Sequence, residues 1–378
     1  MTALPHRASA SDQEREAAGT IAGWLRDMNL DPAIEEFRAV SSYSWELIGI
    51  ALLFAAGVAL GPFHPFIGTI FVVLGAWSFW RHFTGFNTLF SYIIPKKQSQ
   101  NVTATIPSTG ETKRTVVLMA HYDTARAALL WAPAVVKNFR QSFVLNAVLA
   151  FAAVPFTWLG SEWGVHLWYQ IVALVLVVYF LAQVGIFIQR ETVHSHVNGA
   201  NDNGSGVAVM LNLAEKYAES PLEHTEIQVL ATGCEESGMY GVKAFYNAHG
   251  DDLYRNETYF LNFDNVGAGT LNYCLGEGML TFWPYDAEIV QIAKEVNQQP
   301  AFQEVETCRY RLAYFDTLPL VQEGYKCITC IGLTSEKKIP NWHWYSDTIE
   351  NIDWGTINMT IAWGESMIEL FDQGGDAS

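Results

Sequence analysis

Basic side chains are scarce in this chain: 22 Lys and Arg stand against 39 Asp and Glu, a formal charge of −17. Neutralising phosphates needs a basic surface, so this balance excludes nucleic acid as a partner and describes a soluble, self-repelling exterior. Cysteine is also sparse. The five residues Cys234, Cys274, Cys308, Cys327 and Cys330 are odd in number and irregular in spacing. That excludes a disulfide framework and fits a reducing compartment. Cys327 and Cys330 form a CxxC, but no second CxxC or nearby histidine pair completes a structural zinc site, and the run Tyr325–Leu333 reads as a buried strand. The first twenty residues lack the apolar core of a signal peptide, so the sequence predicts a start that is neither exported nor cleaved. Internal repeats and low-complexity linkers are missing as well.

Charge vanishes altogether over Gly164–Ile188. Half of all residues are apolar and 13% are aromatic, more than a soluble domain needs, and the excess is concentrated in four stretches: Leu47–Gly61, Phe66–Trp80, Phe143–Gly160 and Gly164–Ile188. The last is long enough to cross a bilayer with tilt. The four read as two transmembrane hairpins with short tips, Pro62–Pro65 and Ser161–Glu162, which carry no Lys or Arg. The flanks carry Arg38, Arg81, Lys96, Lys97, Lys137, Arg140 and Arg190. Positive flanks predict an integral, multi-pass protein of the inner or cell membrane, with about four spans and with both termini and all remaining polar chain in the cytoplasm. The predicted domains are an N-terminal helical segment over 1–43, a first hairpin over 44–82, a catalytic part over 95–140, an inserted hairpin over 141–189 and a second catalytic part over 190–378.

Outside those stretches the pattern is α/β. Strands are expected at Val102–Ile106, Thr115–Ala120, Glu226–Thr232, Thr258–Phe263 and Cys327–Leu333. Helical periodicity appears at Gln13–Met28, Gly206–Ala218, Met239–His249, Asp286–Gln298 and Trp354–Phe371, with a second short N-terminal helix expected near Pro32–Val40. Near-continuous apolar strands between amphipathic helices imply a sheet covered on both faces.

Five short segments follow these elements and carry the chemistry. The strand Thr115–Ala120 leads into His121-Tyr122-Asp123, and alternation places Asp123 where it can hold the His121 imidazole. Gly199–Gly206 is a glycine-rich turn whose Asp202 could bridge two cations; a simple helix cap fits it too. Glu235-Glu236 are adjacent carboxylates, costly unless cations or protons neutralise them. Asp264 follows another apolar run, and His343 lies in the aromatic loop Asn341–Asp347. Imidazoles mixed with carboxylates suit a borderline-soft divalent ion, and sites in open α/β sheets gather at the carboxyl ends of strands.

The segments HYDT, GANDNGSG, EESGMYG, LNFD and HWYSDTIENID resemble, in order, those of the co-catalytic zinc aminopeptidases, the group that also holds glutamate carboxypeptidase and glutaminyl cyclase. The likeness covers roughly Val102–Arg126 and Val197–Phe371. It implies a mixed, mostly parallel twisted sheet flanked by helices, here joined to the two transmembrane hairpins, and an aminopeptidase with two Zn2+ ions. By position, His121 and Asp264 would bind one zinc, Glu236 and His343 the other, and Asp202 would bridge them. Asp123 would orient His121, Glu235 would be the general base, and the Asp202–Asn203 peptide would be cis. The partners implied are a peptide substrate and the bilayer.

Three departures qualify the likeness. About 55 extra residues between Asp123 and Asp202 carry the second hairpin, which would tie the rim of the site to the membrane. Trp342 stands where Tyr often offers a hydroxyl to an oxyanion, and glutaminyl cyclases also place Trp there. Thr317 replaces a histidine in Phe315–Pro319, with Arg311 upstream as a candidate substrate contact. Two other functions therefore stay open: a one-zinc glutaminyl-peptide cyclotransferase, and a non-catalytic membrane scaffold.

Overall fold

Ten strands, eight of them in one sheet, carry most of the order in the computed structural model, which describes residues 1–373. In chain order the strands are β1 (Ala33–Ala39), β2 (Lys97–Ile106), β3 (Arg114–His121), β4 (Thr225–Thr232), β5 (Thr258–Phe263), β6 (Thr270–Cys274), the two-residue pair β7 (Gly276–Glu277) and β8 (Trp283–Pro284), β9 (Glu306–Cys308) and β10 (Lys326–Leu333). The main sheet runs β1-β2-β4-β3-β5-β10-β6-β9. Its central strands β4, β3, β5 and β10 are mutually parallel, while β1–β2, β2–β4 and β10–β6 are antiparallel. This is a mixed α/β sheet with a parallel centre.

The centre is parallel because its strands are apolar on both faces. Val116 through Ala120 are fully buried, as are Phe260, Leu261, Cys327 and Ile328. Amphipathic helices cover them, including Gly206–Glu219, Tyr240–His249 and Trp354–Asp372. Phe260, Cys327, Val242 and Phe245 share one apolar cluster, so burying these side chains stabilises sheet and helix together, at about 1.5–3 kcal/mol for each large one.

The short helix anticipated near Pro32–Val40 is instead the edge strand β1, paired antiparallel to β2 with Ile34 opposite Val102. Its alternating burial and its charges Glu35, Glu36 and Arg38 suit a strand that must not recruit another chain. The CxxC cysteines lie buried in β10, in register with β5.

The chain divides into two units. One comprises Met1–Ser41, Lys96–Ala125 and His196–Ser378 and holds the main sheet; the other comprises Ser42–Pro95 and Arg126–Ser195. The second unit is helical: Ser44–Leu60, Pro65–His82, Phe139–Trp158 and Leu167–Val193. Phe54 stacks on Phe180 at 4.8 Å between ring centroids, and Phe79 meets Phe143 at 6.3 Å. Two of its helices, Phe139–Trp158 and Leu167–Val193, are long and apolar enough to cross a membrane. On the longer one Ile171, Leu174, Val175, Val178 and Leu181 all face outward.

Candidate metal centre

Parallel neighbours end at the same edge of a sheet, and here that rule gathers the chemistry. His121 is the last residue of β3 and pairs in register with Thr232, the last of β4. Glu235 and Glu236 follow β4, and Asp264 follows β5, the other neighbour of β3. His343 lies in the chain after β10, and Asp202 precedes the helix Gly206–Glu219.

Two groups of ligand-type atoms result, and they share one residue. His121 Nε2 lies 3.3 Å from Asp202 Oδ1 and 3.6 Å from Asp264 Oδ1. His343 Nε2 lies 3.1 Å from Asp202 Oδ2 and 3.2 Å from Glu236 Oε2. Each oxygen of Asp202 thus faces a different imidazole. Both triads are compact enough to hold one ion each.

Backbone and amide contacts hold this arrangement. The Asp202–Asn203 peptide is cis. Asn203 Nδ2 donates to Phe263 O, while its Oδ1 accepts from the N–H groups of Gly206 and Asn265. Asn201 Oδ1 accepts from Gly267 N. These side chains stitch the Asp202 turn to the Asp264 turn. The fit allows no Cβ at 206, where one would lie 2.1 Å from Phe263 O. Gly199 has φ +69°, a conformation that suits glycine.

Asp123 is completely buried and fully occupied. Its Oδ1 accepts from Glu235 N at 3.0 Å and faces His121 Nδ1 at 3.5 Å. Its Oδ2 accepts from Ser9 Oγ at 2.6 Å and from Glu236 N at 3.2 Å. One carboxylate therefore links the imidazole to the glutamate loop. Trp342 is buried with its ring 5.2 Å from that of His343. Arg311 is exposed, its guanidinium 4.9 Å from the Phe282 ring.

The electrostatics of the site favour positive charge. Burial would favour the neutral imidazole, yet Asp264, Asp123 and Asp202 hold the pKa of His121 well above its ordinary value; Glu236 and Asp202 do the same for His343. Burial would raise Asp202 too, but hydrogen bonds from both imidazoles outweigh it and its pKa falls. Burial drives Glu235 well above the usual carboxylate range, against the pull of His121 and helped by Glu236 and Asp316; Glu236 rises for the same first cause. Glu236 Oε1 is buried and accepts no hydrogen bond. Two imidazoles, clustered carboxylates and an orphaned carboxylate oxygen fit a pair of divalent ions of zinc type.

Several residues of the site escaped the sequence reading. Asp347 Oδ1 accepts from Asn201 N at 2.6 Å and Oδ2 from Asp202 N at 3.0 Å. Asp316 is buried, accepts from Thr232 Oγ1, and is raised by burial to about 7. Arg7 and Ser9 come from the polar first segment. The only signal for Asp347 was its place in the HWYSDT run; nothing local marked Arg7 or Ser9.

Residues 184–365 match the model of peptidase family M28. Among curated relatives, the vacuolar membrane protease of Schizosaccharomyces japonicus is 41% identical over 71 residues, 19% of this chain and 8% of that protein. Aminopeptidase YwaD of Bacillus subtilis is 31% identical over 127 residues, 33% of this chain and 24% of that protein. The matches therefore span less than a quarter of these relatives. Two solved structures share the fold. The glutaminyl cyclase of an Acidobacteriales bacterium aligns with TM-score 0.57 at 14% identity, over 98% of this chain and 90% of that one. The zinc aminopeptidase BSAP of Bacillus subtilis aligns with TM-score 0.55 at 14% identity, over 96% and 90%.

Proposed function

We propose that this chain is a zinc-dependent aminopeptidase that removes the N-terminal residue of peptides. The observation that carries this reading is Asp202, whose two oxygens face His121 and His343 separately. His121 and Asp264 would hold one zinc, His343 and Glu236 the second, and Asp202 both. Zinc bound there supplies Lewis acidity, which polarises a carbonyl and acidifies water.

The residues supply the rest. Glu235 takes a proton from the attacking water as the new C–O bond forms, then delivers it to the departing amine as the peptide C–N bond breaks. Asp123 accepts from the Glu235 N–H and faces the His121 ring, so it would hold base and ligand in one arrangement. Trp342, buried against His343, would offer its indole N–H to a developing oxyanion, and Arg311 is the candidate contact to the substrate chain. The test is hydrolysis of aminoacyl-4-nitroanilides against their N-acetylated forms. Cleavage of the free amines alone supports the reading, and equal cleavage of both removes the exopeptidase assignment.

A second reading is favoured by Trp342: cyclisation of an N-terminal glutamine, with one zinc and release of ammonia. Glutaminyl peptides yielding ammonia and a blocked terminus, with one metal per chain, would replace the first reading by this one.

We propose further that the helices of 44–82 and 141–189 are two transmembrane hairpins, giving about four spans, with the catalytic parts 95–140 and 190–378 and the segment 1–43 in the cytoplasm. The outward Ile, Leu and Val side chains of Leu167–Val193 support this, since water would leave them unpaid by any contact. Protease added to sealed right-side-out vesicles should spare the domain and digest it in inverted ones. The opposite pattern reverses the topology.

A further inference from the structure

Arg7 is completely buried although nothing in its local sequence marks it for the interior. Its Nε donates to Tyr122 O at 2.6 Å, Nη1 to Asn198 O at 2.8 Å and Nη2 to Gly199 O at 2.8 Å. The guanidinium thus spans two segments: the chain between His121 and Asp123, and the turn that leads to Asp202. The backbone beside it is fixed as well. Arg7 N donates to Thr124 Oγ1 at 2.9 Å, Thr124 N donates to Arg7 O at 3.1 Å, and Ala8 pairs with Thr124 as a parallel bridge. Two residues on, Ser9 Oγ donates to Asp123 Oδ2 at 2.6 Å. Farther along, Glu14 accepts from Cys234 N at 3.0 Å, the residue before Glu235.

We propose that Arg7 and Ser9 are positioning residues of the metal centre, so that the polar first segment is a working part of the site. This rests on the dinuclear reading above. Ser9 supplies one of four partners of Asp123; the others are Glu235 N, Glu236 N and His121 Nδ1. Without that O–H, Oδ2 keeps only the Glu236 N–H, and the carboxylate is free to turn away from the imidazole and the glutamate loop. Arg7 acts in two ways. Its planar fork fixes three carbonyls at once, which a lysine ammonium cannot do. Its charge is costly to bury, and the carboxylates of Asp347, Asp123 and Asp202 offset part of that cost while it reduces their mutual repulsion. Loss of a group that orients a ligand in this manner typically costs about 10–100-fold in metal affinity or activity.

The experiment compares the full chain with Ser9→Ala, Ser9→Thr and Arg7→Lys. It reads zinc affinity by titration against a chromophoric chelator, kcat and KM separately, and the melting temperature of the chelated protein. Ser9→Ala should weaken zinc binding by about 10-fold or more and lower kcat with KM held, while Ser9→Thr restores both. Arg7→Lys should shift zinc affinity and kcat in the same direction. The chelated Ser9 variants should melt with the chelated parent, because the role of that hydroxyl is toward the metal and not the apo fold; Arg7→Lys, which also frees buried carbonyls, should melt lower. Parent zinc affinity and kcat in Ser9→Ala would overturn the inference. So would a deficit that threonine fails to repair, or a loss in Ser9→Ala that tracks a lower melting temperature of the chelated protein. A parent chain that binds no zinc fails earlier, at the dinuclear reading itself.

Discussion

Asp347 holds the backbone of Asp202: its two oxygens accept the N–H groups of Asn201 and Asp202 at 2.6 and 3.0 Å. A carboxylate in the His343 loop therefore places the carboxylate that faces both imidazoles. Burial, reinforced by the Asp202 charge, raises Asp347 to about 7. Asp347→Asn would put an amide N–H2 against one of those donors and orphan it, at about 1–3 kcal/mol. Zinc affinity and turnover are expected to fall about 10–100-fold with all the ligands intact. Parent values for both would show that the Asp202 turn is held by its other contacts.

Glu235 separates binding from chemistry. Its backbone is tied to Asp123 while its side chain stands outside both ligand triads. Glu235→Gln is expected to leave the metal count unchanged and to lower kcat by about 10²–10⁴. Near-parent hydrolysis by that variant would remove Glu235 from the proton path.

Glu277 makes stability depend on pH. It is fully buried and accepts from Phe315 N and Thr317 Oγ1 at 2.5 Å and from Tyr285 OH at 2.9 Å. Burial outweighs these donors and raises its pKa from 4.5 to about 8. The folded state then binds more protons than the unfolded one between those two values, so stability falls as pH rises. The contribution is complete below pH 4.5 and is lost as pH passes through about 8. Its size is a few kcal/mol, at about 1.4 kcal/mol per pH unit. The melting temperature of Glu277→Gln relative to the parent should be distinctly more favourable at pH 9 than at pH 5. A difference that does not change with pH would show that Glu277 is charged in the fold throughout that range.

Legibility followed the range of the forces. The parallel strands were readable because each is a continuous apolar run: β5 was expected over the very residues it occupies, and β3 and β4 were missed by only one or two at their ends. The residues of the two triads were readable because they stand directly after such runs or within distinctive turns. β1 was misread because its apolar residues Ile34 and Phe37 are spaced three apart, as in a helix, while pairing with β2 decides its state. β6 and β9 were passed over since they are short and take their pairing from distant strands. Arg7 meets Tyr122 across 115 positions, and Asp347 meets Asp202 across 145. No window along the chain holds such a contact. The family likeness named Asp123 as a positioning residue, but Ser9 and Arg7 became visible only once the fold brought them to it.

The most direct measurement is a metal count by mass spectrometry on the full chain purified without chelator, beside His121→Ala and His343→Ala. Two zinc ions per parent chain are expected, with each substitution removing one or both and neither unfolding the protein. A parent with no bound zinc, or histidine variants that keep the full complement, would contradict the shared site at Asp202.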